Sequence, residues 1–157
     1  MANATATRET QITRQALIEH LNDDLSREYQ AVIAYVIYSQ VLKGAQFMSI
    51  AEELEKHAGE ELSHALKISK HIDYLGGTPT ASPKPVLQSD DAETMLRADL
   101  ENERQTIVAY RERLRECEAL AEYAIAEDIR EILRDEQEHL IDLATALGEN
   151  PPDVSRG

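Results

Sequence analysis

Glu61-Leu62-Ser63-His64 and Glu136-Gln137-Glu138-His139 decide the reading of this chain. Residues three apart lie on the same face of an α-helix, so each Glu-x-x-His pair presents a carboxylate and an imidazole to one point. Two such pairs, joined by one inward Glu from each of two further helices, form the ligand set known for carboxylate-bridged two-metal sites in four-helix bundles. The motif alone is weak. With 20 Glu in 157 residues and five His, chance supplies two such pairs about one time in eight, so the argument needs context. The bland alternative is two exposed His beside Glu on solvated helix faces.

That context is the apolar stripes, which predict four helices. The first is expected from about Thr13 to Leu42, with the stripe Ile18, Leu21, Leu25, Glu28, Val32, Tyr35, Ser39, Leu42. The second runs from about Phe47 to Leu75 through Ile50, Leu54, Glu61, Ala65, Ile68 and Ile72, and Gly76-Gly77 stops it. The third follows the capping signal Ser89-Asp90-Asp91 and carries Leu96, Leu100, Glu103, Ile107, Tyr110 and Leu114. The fourth runs from about Glu122 to Leu147 through Ile125, Ile129, Ile132, Glu136, Leu140 and Leu143, before Gly148 and Pro151-Pro152. Each stripe is interrupted near its middle by one Glu. An unpartnered buried carboxylate costs several kcal/mol. Four at similar depth call for positive charge between them.

The segment Gly76–Asp90 is long, polar and rich in proline. A helix of some 29 residues, the expected length of the second, is about 43 Å long, and fifteen extended residues reach about 50 Å. The segment can therefore cross the length of the bundle and set the second and third helices parallel. The expected fold is all-α: a four-helix bundle at 13–148 with a long crossover between helices two and three (helices B and C). Flexible tails are expected at 1–12 and 149–157.

Net charge is −14, which disfavours direct nucleic-acid binding and draws cations. There is no hydrophobic signal core at the N-terminus and no run long enough to span a membrane. A single cysteine, Cys117, excludes an intrachain disulfide framework and fits a reducing compartment. A cytoplasmic location is therefore expected.

Four carboxylates balance two divalent cations, and each His adds one neutral nitrogen. Such ligands suit iron or manganese. The spacing assigns Glu61 and Glu136 as bridges, with Glu28 and His64 completing one metal and Glu103 and His139 the other. His57, seven residues before His64, is an extra ligand, a partner that orients a ligand, or a partly exposed seam residue. Tyr35 is read as a donor to a ligand carboxylate or a core aromatic, Tyr110 as packing, His20 and His71 as surface, and Cys117 as a buried or interface thiol. The acidic stretch Ala51–Glu61 reads as a solvated face.

The chain resembles the ferritin-like superfamily, and within it bacterioferritin, from about Leu17 to Leu147. The order Glu28, Glu61-x-x-His64, Glu103, Glu136-x-x-His139 matches that family's ferroxidase centre. The runs Met95-Leu96-Arg97-Ala98-Asp99-Leu100 and Glu131-Ile132-Leu133-Arg134-Asp135-Glu136 are similar to bacterioferritin sequence. Tyr35 falls where the family keeps a tyrosine beside the metals. The resemblance implies a ferritin-like bundle that stores iron, oxidising Fe(II) with O2 or H2O2 at two iron ions per subunit, with manganese or zinc as substitutes. It implies a hollow homo-oligomer of 24 or, because a fifth helix is missing after Gly148, 12 subunits; a dimer is the fallback. Leu62 stands where haem-binding members carry Met, so haem is not expected. Lys56 replaces a His that some members use in an inner-surface iron site, while Glu60 keeps an acid there as a possible extra ligand. The competing reading is a dimeric di-iron or di-manganese redox enzyme, a peroxidase or oxidase.

Overall fold

The structure is a computed structural model that describes residues 12–155. It contains four long helices: α1 (Arg14–Val41), α2 (Met48–Tyr74), α3 (Ala92–Ala119) and α4 (Tyr123–Ala146). The predicted ends of α1, α2 and α4 each differ from the observed ones by a single residue, and α3 starts directly after its capping signal. The expected N-terminal tail at 1–12 falls, but for Ile12, outside the described residues. Among the described residues, no helix is long and apolar enough to cross a membrane.

Local chemistry sets the ends. Thr13 caps α1 by accepting from the Ala16 amide at 3.1 Å, and Asp91 caps α3 by accepting from the Thr94 amide at 2.7 Å. At the end of α2, Gly76 has φ +90°, and the Gly77 amide closes back on the Ile72 carbonyl at 2.9 Å, the bonding of a Schellman turn. The α3–α4 turn closes likewise, Glu122 onto the Cys117 carbonyl at 2.8 Å, but its left-handed residue is Ala121 at φ 57°. A Cβ there is strained by about 1–2 kcal/mol, partly offset by the extra freedom glycine has in the unfolded chain. Ala121→Gly is therefore expected to raise stability by about 0.5–1 kcal/mol. An unchanged or lowered midpoint in thermal unfolding would contradict this.

The neighbours of α1 are α2 and α3, and those of α4 are also α2 and α3, so the crossover joins helices at opposite corners. It runs along α1 in the same direction. Asn22 donates to the Thr78 carbonyl at 3.2 Å and accepts from the Thr80 amide at 2.7 Å; the Lys84 amide reaches Ser26 at 3.0 Å; Gln30 donates to Pro85 at 2.6 Å; Tyr38 donates to Leu87. The crossover thus spans about 24 Å of α1 by its helical rise, which lets α3 start beside the end of α1 and run parallel to α2. Residues beyond α4 lie back on α3, through Arg97 with Glu149 at 2.6 Å and Arg111 with the Val154 carbonyl.

The apolar core is split in two. One cluster holds Leu17, Leu21, Leu25, Ile68, Ile72, Ile125, Ile129 and Ile132. The other holds Tyr35, Tyr38, Leu54, Leu96 and Leu143. Between them lies a buried polar layer.

Candidate metal centre

The six residues singled out from the motifs all lie in that layer. Glu28, Glu61, His64, Glu136 and His139 are each 1% exposed and Glu103 is 3% exposed. They fall into two overlapping groups, Glu28–Glu61–His64–Glu136 and Glu61–Glu103–Glu136–His139, whose ligand atoms lie within 4.8 Å of one another. Glu61 and Glu136 are common to both.

His64 Nδ1 faces Glu61 at 3.2 Å, Glu136 at 3.3 Å and Glu28 at 3.5 Å. His139 Nδ1 faces Glu61 at 3.0 Å, Glu136 at 3.4 Å and Glu103 at 3.9 Å. The outer nitrogens are held by carboxylates: His64 Nε2 by Asp135 at 3.1 Å and His139 Nε2 by Glu60 at 2.8 Å. With Nε2–H donating outward, Nδ1 faces the layer and is the nitrogen that would ligate a metal once its proton has left. Glu60 itself is half exposed and acts on His139 from outside.

The layer is under-satisfied by protein. Glu28 Oε2, Glu61 Oε1, Glu103 Oε2, both Glu136 oxygens and His139 Nδ1 are buried with no aligned hydrogen-bond partner. Glu61 Oε1 and His139 Nδ1 sit 3.0 Å apart yet are not aligned as donor and acceptor. Buried polar atoms are normally paired. Oxygens and nitrogens converging this closely without partners fit a pair of cations.

The electrostatics follow from that crowding. Burial, then the charges of Glu61 and Glu136, push Glu28 well above the usual carboxylate range. Burial with Glu136 and Glu61 does the same to Glu103. Burial pushes Glu61 up as well, but the close imidazoles of His139 and His64 outweigh it and hold it low. Glu136 is lowered for the same reason, against burial and Glu61. Burial disfavours charge on both imidazoles, yet the surrounding carboxylates win. Glu136, Glu28 and Glu61 raise His64, and Glu136 and Glu61 raise His139 to about 12.

The two helical hairpins repeat each other. Residues of the first half recur 75 positions later: Glu28 and Glu103, Tyr35 and Tyr110, Glu60 and Asp135, Glu61 and Glu136, His64 and His139. The repeat corrects the reading of Tyr110 as packing. Its hydroxyl donates to Glu28 just as the Tyr35 hydroxyl donates to Glu103, so each terminal glutamate is anchored by a tyrosine from the facing helix. Asp24 and Asp99 are a further repeated pair, both buried and missed in the sequence reading. Asp24 binds Arg113 at 2.6 Å, and Arg113 in turn binds Glu116, which accepts from His20 at 2.9 Å. The signal available was the position of each Asp one turn before a stripe glutamate.

His71 is also corrected. It is 7% exposed, against the surface position expected, because Asp128 on α4 meets it at 2.6 Å. It belongs to a ladder between antiparallel α2 and α4 whose other rungs are His57–Asp142 at 3.2 Å, Glu60–His139 and His64–Asp135. His57 is 3% exposed and stacks on His139, with ring centroids 4.0 Å apart. His20 is exposed and Cys117 is buried.

A long-helix bundle split by a buried layer of mirrored Glu and His groups defines a class of protein, one built to enclose charge within a helical core. The chain belongs to the ferritin family, whose ferritin-like domain matches residues 18–150. A bacterioferritin of Brucella melitensis biotype 1 is 31% identical over 134 residues, 83% of this chain and 82% of that protein. The crystal structure of a ferritin-like, diiron-carboxylate protein from Bacillus anthracis superposes with a TM-score of 0.82 at 31% identity, over 85% of this chain and 96% of that one. A dodecameric thioferritin, the bacterioferritin-related protein of Bacteroides fragilis, superposes with a TM-score of 0.80 at 29% identity, covering 88% of each chain.

Proposed function

We propose that the chain oxidises Fe(II) at the glutamate layer and retains the ferric product inside a hollow homo-oligomer. The observation that carries this is the pair of four-residue groups sharing Glu61 and Glu136, buried together and short of hydrogen bonds. Glu28 and His64 would complete one ferrous ion, Glu103 and His139 the other. Two ferrous ions give up one electron each. The two electrons reduce O2, with two protons, to H2O2, or reduce H2O2, with two protons, to two waters. The carboxylate-rich ligand set favours the harder ferric product. Glu60 and Asp135 would orient the imidazoles, and Tyr35 and Tyr110 the terminal glutamates.

Assembly is supported by the outer surface. Ile33 and Val36 on α1 and Leu62 and Leu66 on α2 leave large apolar side chains exposed on one pair of adjacent helices, a feature of surfaces that meet a partner. The dodecameric state of the Bacteroides fragilis relative supports a shell of twelve copies. One buried thiol agrees with work in a reducing cytoplasm.

Aerobic Fe(II) addition followed by size-exclusion chromatography with iron analysis tests the proposal. The expected result is a large particle retaining tens of irons per subunit. A dimer holding no more than about two irons per subunit would refute storage and favour a soluble redox enzyme.

A further inference from the structure

We infer that Asp99 is the proton donor for reduction of the oxidant, acting through a small cavity between α1 and α3 that borders the glutamate layer. The inference rests on the Fe(II) oxidation proposed above and assigns a residue to the protons that reaction consumes. Asp99 is 3% exposed, and its Oδ2 is buried with no hydrogen-bond partner. It lines the cavity with Tyr35 and with Glu28, Glu61, Glu103 and Glu136 of the layer. Half-buried Gln30, Ala31 and Asn102 line it as well, so it extends toward solvent between the two helices. Its volume is about 10 Å3, room for a single water-sized molecule.

The 75-residue repeat makes plain what Asp99 lacks. Its counterpart Asp24 is paired twice, with Arg113 at 2.6 Å and with Arg27 at 3.4 Å. The positions equivalent to these arginines hold Tyr38 and Asn102, both uncharged, and the Tyr38 hydroxyl donates to the Leu87 carbonyl instead. Arg27 also lines the Asp99 cavity, but Asp23 at 2.7 Å and Asp24 engage it. One half of the bundle therefore holds a carboxylate with its cations, and the other holds a carboxyl group with none. Such a group is costly as a buried anion and is better borne as an acid. Burial raises both residues. Arg113 and Arg27 oppose it at Asp24, whereas at Asp99 the charge of Glu61 adds to it and the group stands well above the usual carboxylate range.

Reducing O2 to H2O2 forms two O–H bonds. Reducing H2O2 breaks its O–O bond and forms one O–H bond on each of two waters. Either reaction takes one electron from each of two Fe(II) and two protons. The ligand atoms of the layer bind a cation only without their protons, so they have none to give. Asp99 lies one turn before Glu103 on the same face of α3, yet its Oδ2 hydrogen-bonds to none of the six ligands. It can therefore keep its proton while they are engaged. Asp99 passes that proton to the molecule in the cavity, directly or through one water, and regains it from solvent past Gln30 and Asn102. Two such cycles supply both protons.

The test uses Asp99→Asn in the whole protein, which keeps the shape of the side chain and removes its proton. Infrared spectra read the acid without turnover. Anaerobic Co(II) removes the protonated-carboxyl bands of Glu28 and Glu103. One such band is expected to persist at neutral pH, to be missing from Asp99→Asn and to shift in Asp99→Glu. Asp99→Asn is expected to bind two Co(II) per subunit, as the parent does, and to oxidise saturating Fe(II) about 100-fold more slowly. Asp99→Glu is expected to recover part of that rate. No persisting band in the parent, a band that survives unshifted in both variants, or an Asp99→Asn protein oxidising at the parent rate overturns the inference and leaves the two-metal reading intact. A parent protein that binds two Co(II) and shows the band, yet oxidises no Fe(II), overturns the proposed oxidation and the donor role with it.

Discussion

Replacing Glu61 with alanine is expected to slow Fe(II) oxidation by more than about 100-fold. A carboxylate that merely orients a metal-bound imidazole, as Glu60 and Asp135 are placed to do, contributes about 10–100-fold in metal affinity. Glu61 is common to both ligand groups and lies 3.2 Å from one imidazole and 3.0 Å from the other, so in the proposed centre its loss would strike both cations together and exceed that range. Glu61→Gln keeps the volume of the side chain and removes only its charge, which separates ligation from packing. It is expected to lose nearly as much activity. Glu60→Gln is expected to fall within the smaller range. The measurement is the initial rate of ferric absorbance after mixing with Fe(II) and O2, on protein shown by circular dichroism to be folded. A Glu61→Ala protein that oxidises iron at the parent rate would remove the basis of the proposed chemistry.

Much of this centre was legible in the sequence because a polar residue inside an apolar stripe is conspicuous. Glu28, Glu61, Glu103 and Glu136 each interrupt a 3-4 pattern of Leu and Ile, and the structure brings all four into one layer. Helix ends were legible for a similar local reason, since Thr13, Asp91 and Gly76 carry their own capping chemistry. What could not be read depends on interhelical register. His71 is buried because α4 sets Asp128 opposite it. Arg113 is buried because α1 sets Asp24 opposite it at 2.6 Å. Neither partner lies near in sequence, and helical periodicity is silent about which rung faces which. Tyr110 lies between these cases. Its stripe position reads as packing, and only the 75-residue repeat relates it to Tyr35 and hence to a terminal glutamate.

The repeat also explains how the fold bears so polar a layer. Each hairpin contributes one terminal Glu, one shared Glu, one His, one outer carboxylate and one tyrosine. The shared glutamates lie against imidazoles from both halves. Opposite charges are thus interleaved at close range, which offsets much of the desolvation that either sign would face alone. The apolar clusters flank the layer on each side and its glutamates and histidines are themselves buried, so those charge interactions stay strong.

Filling the layer with two divalent cations is expected to release about four protons per subunit near neutral pH. Glu28 and Glu103 are held well above the usual carboxylate range by burial and by the charges of Glu61 and Glu136, so each favours its protonated form. His64 and His139 are raised by the carboxylates around them, His139 to about 12, so both are imidazolium. Glu61 and Glu136, held low by the imidazoles beside them, are already ionised. Two carboxylates then balance two imidazoliums. Ligation needs four ionised carboxylates and two neutral imidazoles, so two glutamic acid protons and two imidazolium protons must leave. Four negative charges then balance two dications, and the net charge of the layer does not change. The sign is fixed by the direction of these shifts: groups with raised values hold protons that compete with metal, so affinity falls as pH falls. With four protons displaced, the product of the two binding constants changes by up to about ten-thousandfold per pH unit. Anaerobic Co(II) addition in weakly buffered solution with an indicator dye measures the release directly. The thermal stabilisation conferred by Co(II) is expected to be larger at pH 8 than at pH 6. Release of one proton or fewer, with stabilisation independent of pH, would mean that the layer is already deprotonated and that its charge is balanced in some other way.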